Sequence, residues 1–175
     1  LANVLGGIEK KEVKREGIDM VFVIDVSNSM NAEDILPSRM EKTKKIVSSI
    51  VSQLGGDRVG IVIFAGQAYS VMPLSNDYGA AELYLGGVDT GLINAQGTNI
   101  ADAIVEASHM LSTISNTSKA IVLISDGEAH KGEVEKAIET ANKNKITIFS
   151  IGVGTPQGAP IPVTYDSCYS EYKKD

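Results

Sequence analysis

Five oxygen-bearing side chains stand where three connections of this sequence could bring them together. Asp25, Ser27 and Ser29 alternate in Asp25-Val26-Ser27-Asn28-Ser29, directly after an apolar run at residues 20–24. Asp126 follows a second apolar run, in Ser125-Asp126-Gly127-Glu128, and Thr98 lies between Gly97 and Asn99 at the head of the longest helical pattern. Carboxylates and hydroxyls, with no imidazole or thiolate among them, are hard ligands. They suit Mg²⁺, Mn²⁺ or Ca²⁺ rather than zinc or copper. Octahedral ligands at ~2.1 Å from an ion lie only about 3 Å from one another. An extended strand, by contrast, sets residues i and i+2 more than ~6 Å apart. Asp25 to Ser29 must therefore curl around an ion, and short serines permit that curl.

The charge of this set matters as much as its geometry. Asp25 and Asp126 together cancel a 2+ charge, and Ser27, Ser29 and Thr98 add none. Such an ion keeps an appetite for one more carboxylate from outside. The expected partner is a protein that offers Asp or Glu, and Mg²⁺ is the default ion on grounds of abundance.

To bring these residues together, the chain must build a sheet whose strand ends share one edge. Apolar runs at 20–24, 59–64, 120–124 and 146–151 are short, β-branched and unbroken, as strands buried on both faces require. Between them run helical stripes. Met40, Thr43, Val47, Ile50 and Leu54 form one, with Pro37 as its start signal; Ile100, Ile104, Ala107, Leu111 and Ile114 form another. Val134, Ile138 and Ala141 make a weaker third, and Asn76-Asp77 offers a cap for a short helix reaching Leu85. Residues 69–72 read as a short edge strand in a hairpin with 59–64. The fold class is therefore α/β: a doubly wound, mostly parallel sheet with helices on both faces and one antiparallel edge strand. In such sheets ligands bind beyond the carboxyl ends of the strands, where strand order reverses. Residues 1–17 read as a charged lead-in, 18–153 as the domain, and 154–175 as an exit loop and tail.

Composition narrows the function classes. A net charge of −6 without a basic stretch argues against nucleic-acid binding, which depends on displacing counterions with clustered lysine and arginine. The lone Cys168 can form no intrachain disulfide, and it reads as an incidental tail residue. No apolar run approaches the ~20 residues that span a bilayer. The chain opens on Leu1 and ends in a polar tail, so we expect it to be a section of a longer protein, with any membrane anchor outside it. Catalysis is not expected. A serine-hydrolase elbow and a phosphate-binding Gly-x-x-x-x-Gly-Lys-Ser loop are both missing from the sequence, and Ser27 stands where phosphoryl transfer of the dehalogenase type needs a second Asp. A Mg²⁺-dependent phosphoryl-transfer enzyme, or a domain serving only as scaffold, are the alternatives.

The Asp25-x-Ser27-x-Ser29 pattern, Thr98 after a glycine, and Asp126 in Ile-Ser-Asp-Gly together resemble the metal-ion-dependent adhesion site of von Willebrand factor A domains. The resemblance covers residues 18–153. It implies that the serines and the threonine touch the metal directly or through water, that the aspartates hold it partly through water, and that a partner's Glu or Asp completes the shell. The segments 16–19, 32–40, 56–60, 64–66 and 158–162 also resemble the membrane-anchored Bat proteins of bacteria, named for aerotolerance in Bacteroides. That implies a cell-envelope location and a role in envelope complexes under stress. Other residues receive plainer readings. Asn28 and Asn99 shape loops, Asp34 caps the run into Pro37, and Glu128, His130 and His109 are solvated. Met20, Met40 and Met110 are core candidates, while Met30 and Met72 are placed near the docking surface.

Overall fold

Strand β1, Ile18–Asp25, lies at the centre of the molecule because it is apolar on both faces. Phe22 and Ile24 point into one hydrophobic layer, while Val21 and Val23 point into the other. In this computed structural model, which describes residues 17–112, 117–127, 131–164 and 170–173, the sheet order is β3-β2-β1-β4-β5. Here β2 is Arg58–Phe64, β3 is Ala68–Ser75, β4 is Ser118–Ser125 and β5 is Ile146–Gly152. All neighbours run parallel except β2 and β3, which form an antiparallel hairpin. The expected α/β class and its antiparallel edge are thus observed. Pro73 sits in β3, at the sheet edge where its missing N–H does least harm.

Four helices cover the two faces: α1, Arg39–Val51; α2, Tyr78–Gly86; α3, Ile100–Ser112; and α4, Lys131–Lys143. Val47 and Val51 of α1 and Ala81 and Leu85 of α2 pack with Phe22, Ile24 and Ile61. Ile104, Ala107 and Leu111 of α3 and Ala137 and Ala141 of α4 pack with Val21, Val23, Val62 and Phe64. Helix α1 starts two residues later than a Pro37 start implies. Ser38 is its cap, accepting from the Glu41 N–H at 3.2 Å, so Pro37 precedes the helix instead of opening it. Asp77 caps α2, accepting from the Ala80 N–H at 2.9 Å. In α4 the inward stripe is Val134, Ala137 and Ala141; Ile138, at the margin of that three-four stripe, is 40% exposed. Met30, in the turn after β1, and Met72, in β3, are buried in the core. After residue 153 a linker and polar tail are expected. Instead β6, Ile161–Thr164, pairs antiparallel with β7, Ser170–Lys173, as the β-branched Ile161, Val163 and Thr164 favour. The run at 9–16, Ile114, Glu128, His130 and Cys168 lie outside the described residues.

One polar link ties the start of α1 to the far side of the sheet. Arg39 donates through Nε and Nη2 to the two oxygens of Asp34, at 2.8 and 3.0 Å. Asp34 Oδ2 also accepts from the N–H and hydroxyl of Thr155, in the loop after β5, at 2.7 and 3.1 Å. Asp34 therefore does not cap the run into Pro37; it joins two connections far apart in sequence. The hydrogen-bonded Arg39 guanidinium holds its carboxyl well below the usual carboxylate range, with the Thr155 donors adding to the effect.

Two outcomes follow. Leu111→Ala, which empties a fully buried site, should cost about 2–5 kcal/mol in urea unfolding, whereas Tyr69→Ala on the exposed face of β3 should stay within about 0.5 kcal/mol. For Asp34 the folded carboxyl titrates below the unfolded one. Its stabilisation is complete above about pH 4 and shrinks as pH falls further. Asp34→Asn should thus be less stable by about 1.5–3 kcal/mol at neutral pH, yet lose less on acidification than the parent. Parallel acid limbs for the two proteins would show that this carboxyl is not the linked group.

Candidate functional site

The parallel registers of β1 with its two neighbours put their carboxyl ends side by side. Ile24 faces Ile124, so Asp25 and Ser125 are the next residues out at the point where strand order reverses. Asp25 is fully buried there. Its Oδ1 accepts from the Ser27 N–H at 2.9 Å, and its Oδ2 accepts from the Ser125 hydroxyl at 2.7 Å. The first of these bonds is the curl that the sequence demands: the chain turns back over Asp25 and enters a short 3-10 turn, Asn28–Asn31. The curl brings the Ser27 and Ser29 hydroxyls to 2.9 Å from each other, and both residues are buried. That separation matches adjacent ligands on one small ion, which lie about 3 Å apart.

Asp126 comes from the end of β4. Its Oδ2 accepts from Arg39 Nη1 at 2.8 Å, and its side chain is only 2% exposed. The other oxygen, Oδ1, is buried with no hydrogen-bond partner among the described residues. A buried carboxylate oxygen left unpaired costs several times what a satisfied one does, so its presence calls for a missing positive or donor group. Asp25 points the same way. Burial pushes its carboxyl above the ordinary range, opposed by its bonds to Ser125 and Ser27 and reinforced by the negative charge of Asp126. A buried carboxylate at Asp25 and a second at Asp126, one oxygen of which has no partner among the described residues, make a donor set that could hold a divalent cation. Among the described residues no group of three or more His, Cys, Asp or Glu forms a cation cluster, which leaves a two-carboxylate, hydroxyl-rich set.

Thr98 arrives by a different device. Its loop is stitched to the end of β2 by the Asn99 N–H to the Ala65 carbonyl at 2.7 Å and the Gly66 N–H to the Ala95 carbonyl at 2.8 Å. The backbones touch because Gly66 has no Cβ; one there would stand 2.7 Å from the Gln96 carbonyl oxygen. Gln96 then reaches back, its Oε1 accepting from the Asn28 N–H at 3.0 Å, so this loop and the Asp25 loop are joined directly. Asn99 caps α3, exchanging bonds with Asp102 at 3.1 and 2.8 Å. Asn28 and Asn99 thus shape loops, as expected. Thr98 itself is half-buried and lines a cleft of about 250 Å³ with Gly66, Gly97 and Val134. His109 is exposed near the far end of α3.

The structure accordingly places Asp25, Ser27 and Ser29 in one buried turn, sets Asp126 near Asp25, and joins the loop of Thr98 to that turn through Gln96. The sequence did not single out Ser125, Arg39 or Gln96. Ser125 could be found from strand register alone, since it is the neighbour of Asp25 across β1 and β4. Arg39 and Gln96 carry no local signal, because their partners are remote in sequence.

Comparison with known proteins identifies the fold and the family. The chain overlays the crystal structure of the conserved hypothetical protein BatB from Bacteroides thetaiotaomicron with a TM-score of 0.84 and 38% identity, covering 91% of this chain and 76% of that one. It overlays an aerotolerance-related membrane protein from Bacteroides fragilis with a TM-score of 0.82 and 36% identity, covering 91% and 77%. An uncharacterized protein of Borreliella burgdorferi is 30% identical over 147 residues, which is 81% of this chain and 42% of that protein; the chain spans less than half of that relative. Among the described residues no helix is long and apolar enough to cross a membrane. With the von Willebrand factor type A domain profile matching residues 20–128, more than half its length, the chain belongs to that family.

Proposed function

We propose that this domain binds a divalent cation, Mg²⁺ by default and Mn²⁺ or Ca²⁺ as alternatives, and uses it to grip an acidic side chain of a partner protein. Asp25, Ser27, Ser29, Thr98 and Asp126 would hold the ion. The observation that carries this reading is the buried, unpartnered Asp126 Oδ1 beside an Asp25 whose ionisation burial opposes. The cation would supply the positive charge that both carboxylates want, and it would leave a net attraction for one further carboxylate. The protein's own residues do the rest: Ser125 and the Ser27 N–H orient Asp25, and the Asn28–Gln96 bond keeps the loops in register. Large apolar side chains are exposed on adjoining loops, Leu36 at 80% and Leu92 at 53%, as suits a surface that meets another protein.

We read the chain as a binding module and not an enzyme. The two serines of the turn bond each other, and the described histidine lies on the far part of α3. Similarity to an aerotolerance-related membrane protein supports placing the full-length protein in a bacterial cell envelope, anchored by segments outside this chain and working within an envelope complex. Apolar stretches of about 20 residues in the flanking sequence are expected on that account.

The direct check is thermal unfolding with and without cation. Mg²⁺ at 100 times its Kd should add about 2.7 kcal/mol of stability, and EDTA should remove it. Asp25→Asn should abolish that gain while leaving the EDTA-treated protein at least as stable as the parent, since it removes a charge that burial disfavours and the Ser125 hydroxyl can reverse to accept from the amide. Partner capture should disappear with EDTA and with Ser27→Ala. Undiminished capture in either case would sink the cation-docking reading.

A further inference from the structure

Arg39 spends one planar side chain on two connections of the candidate site. Nε and Nη2 bond the two oxygens of Asp34 at 2.8 and 3.0 Å, while Nη1 bonds Asp126 Oδ2 at 2.8 Å and makes a long contact of 3.4 Å with the Ser29 carbonyl oxygen. A guanidinium is rigid, so two nitrogens fixed on Asp34 leave the third no freedom to swing. Asp34 is itself fixed by Thr155, and Gly154 packs against the guanidinium, where an added Cβ would come within 3.3 Å of Nε. Asp126 is thereby held by one oxygen, and its other oxygen is the buried, unpartnered one.

We infer that Arg39 is a positioning residue for the bound cation: it locks the Asp126 carboxylate so that Oδ1 alone is left to face the ion. The inference rests on the cation reading above. Charge alone predicts the opposite behaviour, because a cation beside a ligand carboxylate repels a second cation, and its removal would strengthen metal binding. Here Asp34 offsets the charge of Arg39 at 2.8 Å, which leaves geometry as the dominant effect. An outer group that orients a metal ligand typically contributes about 10–100-fold in affinity.

The test is Mn²⁺ binding to the purified protein, read from the loss of the free-ion EPR signal. Arg39→Met removes the fork and the charge; Arg39→Lys keeps the charge and removes the fork. Both should weaken Mn²⁺ binding about tenfold or more. Arg58→Lys is the control, since Arg58 makes the same two-pronged bond, to Asp19 at 2.8 and 2.8 Å, at the other end of β1. It should lower the melting temperature and leave Mn²⁺ affinity unchanged. Should Arg39→Met prove unfolded, Arg39→Lys decides alone. Affinity equal to or tighter than the parent in the Arg39 variants overturns the inference while the cation reading stands. A loss in Arg58→Lys as large as that in Arg39→Lys overturns it too, by reducing the effect to general destabilisation. If the parent binds no more Mn²⁺ than Asp25→Asn does, the cation reading falls and takes this inference with it.

Discussion

A carboxylate removed from water at the end of the central strand sets the terms for everything around it. Asp25 is fully buried, and burial disfavours its charged form. Two short hydrogen bonds, from Ser125 and the Ser27 backbone, offset part of that cost, and a charged acceptor makes such bonds stronger than neutral ones. The remainder has to be borne by packing elsewhere or by a ligand. The two hydrophobic layers around β1 supply the packing: every residue from Val21 to Ile24 is fully buried. A buried carboxylate at the edge of so dense a core is the kind of perturbed group that clusters at functional sites.

The topology explains why this place and no other. Strands β1 and β4 are neighbours in space, though the chain builds β2 and β3 between them in sequence. At that reversal the two outgoing connections diverge, one toward α1 and the other toward α4, the place where sheets of this kind generally take ligands. The third connection is brought over by a glycine contact, Gly66 against the loop before Thr98, which needs no side chain at all. Three independent devices thus order these connections: a strand register, a backbone curl and a glycine approach.

Local chemistry was legible in the sequence to the extent that it depends on neighbours in the chain. The apolar runs gave the parallel strands, and Asp77 announced the start of α2 by its own capping group. Strands β1, β2 and β4 are buried on both faces as expected, whereas β5 is at the sheet edge and leaves Phe149 55% exposed. The curl of Asp25 to Ser29 follows from the close spacing that ligands of one small ion require. What escaped were pairings over long separations. Asp34 reads as a local cap because its partner Thr155 lies 121 residues away, and Arg39 reads as an ordinary first-turn residue because Asp126 lies 87 away. Ile138 misled for a different reason: apolar periodicity marks a face, and Ile138 stands at the margin of that face.

An acidic protein proposed to recruit an acidic side chain invites an objection from its net charge of −6. Range resolves it. At physiological salt the screening length is about 8 Å, so dispersed surface carboxylates repel an approaching partner weakly and from all sides. A dehydrated cation acts within a few ångströms, through surroundings of lower dielectric than water, where one pairwise attraction outweighs many screened repulsions. Global charge therefore governs how fast partners meet and how salt alters that rate, whereas the few groups at the strand ends govern whether an acid stays once it has arrived.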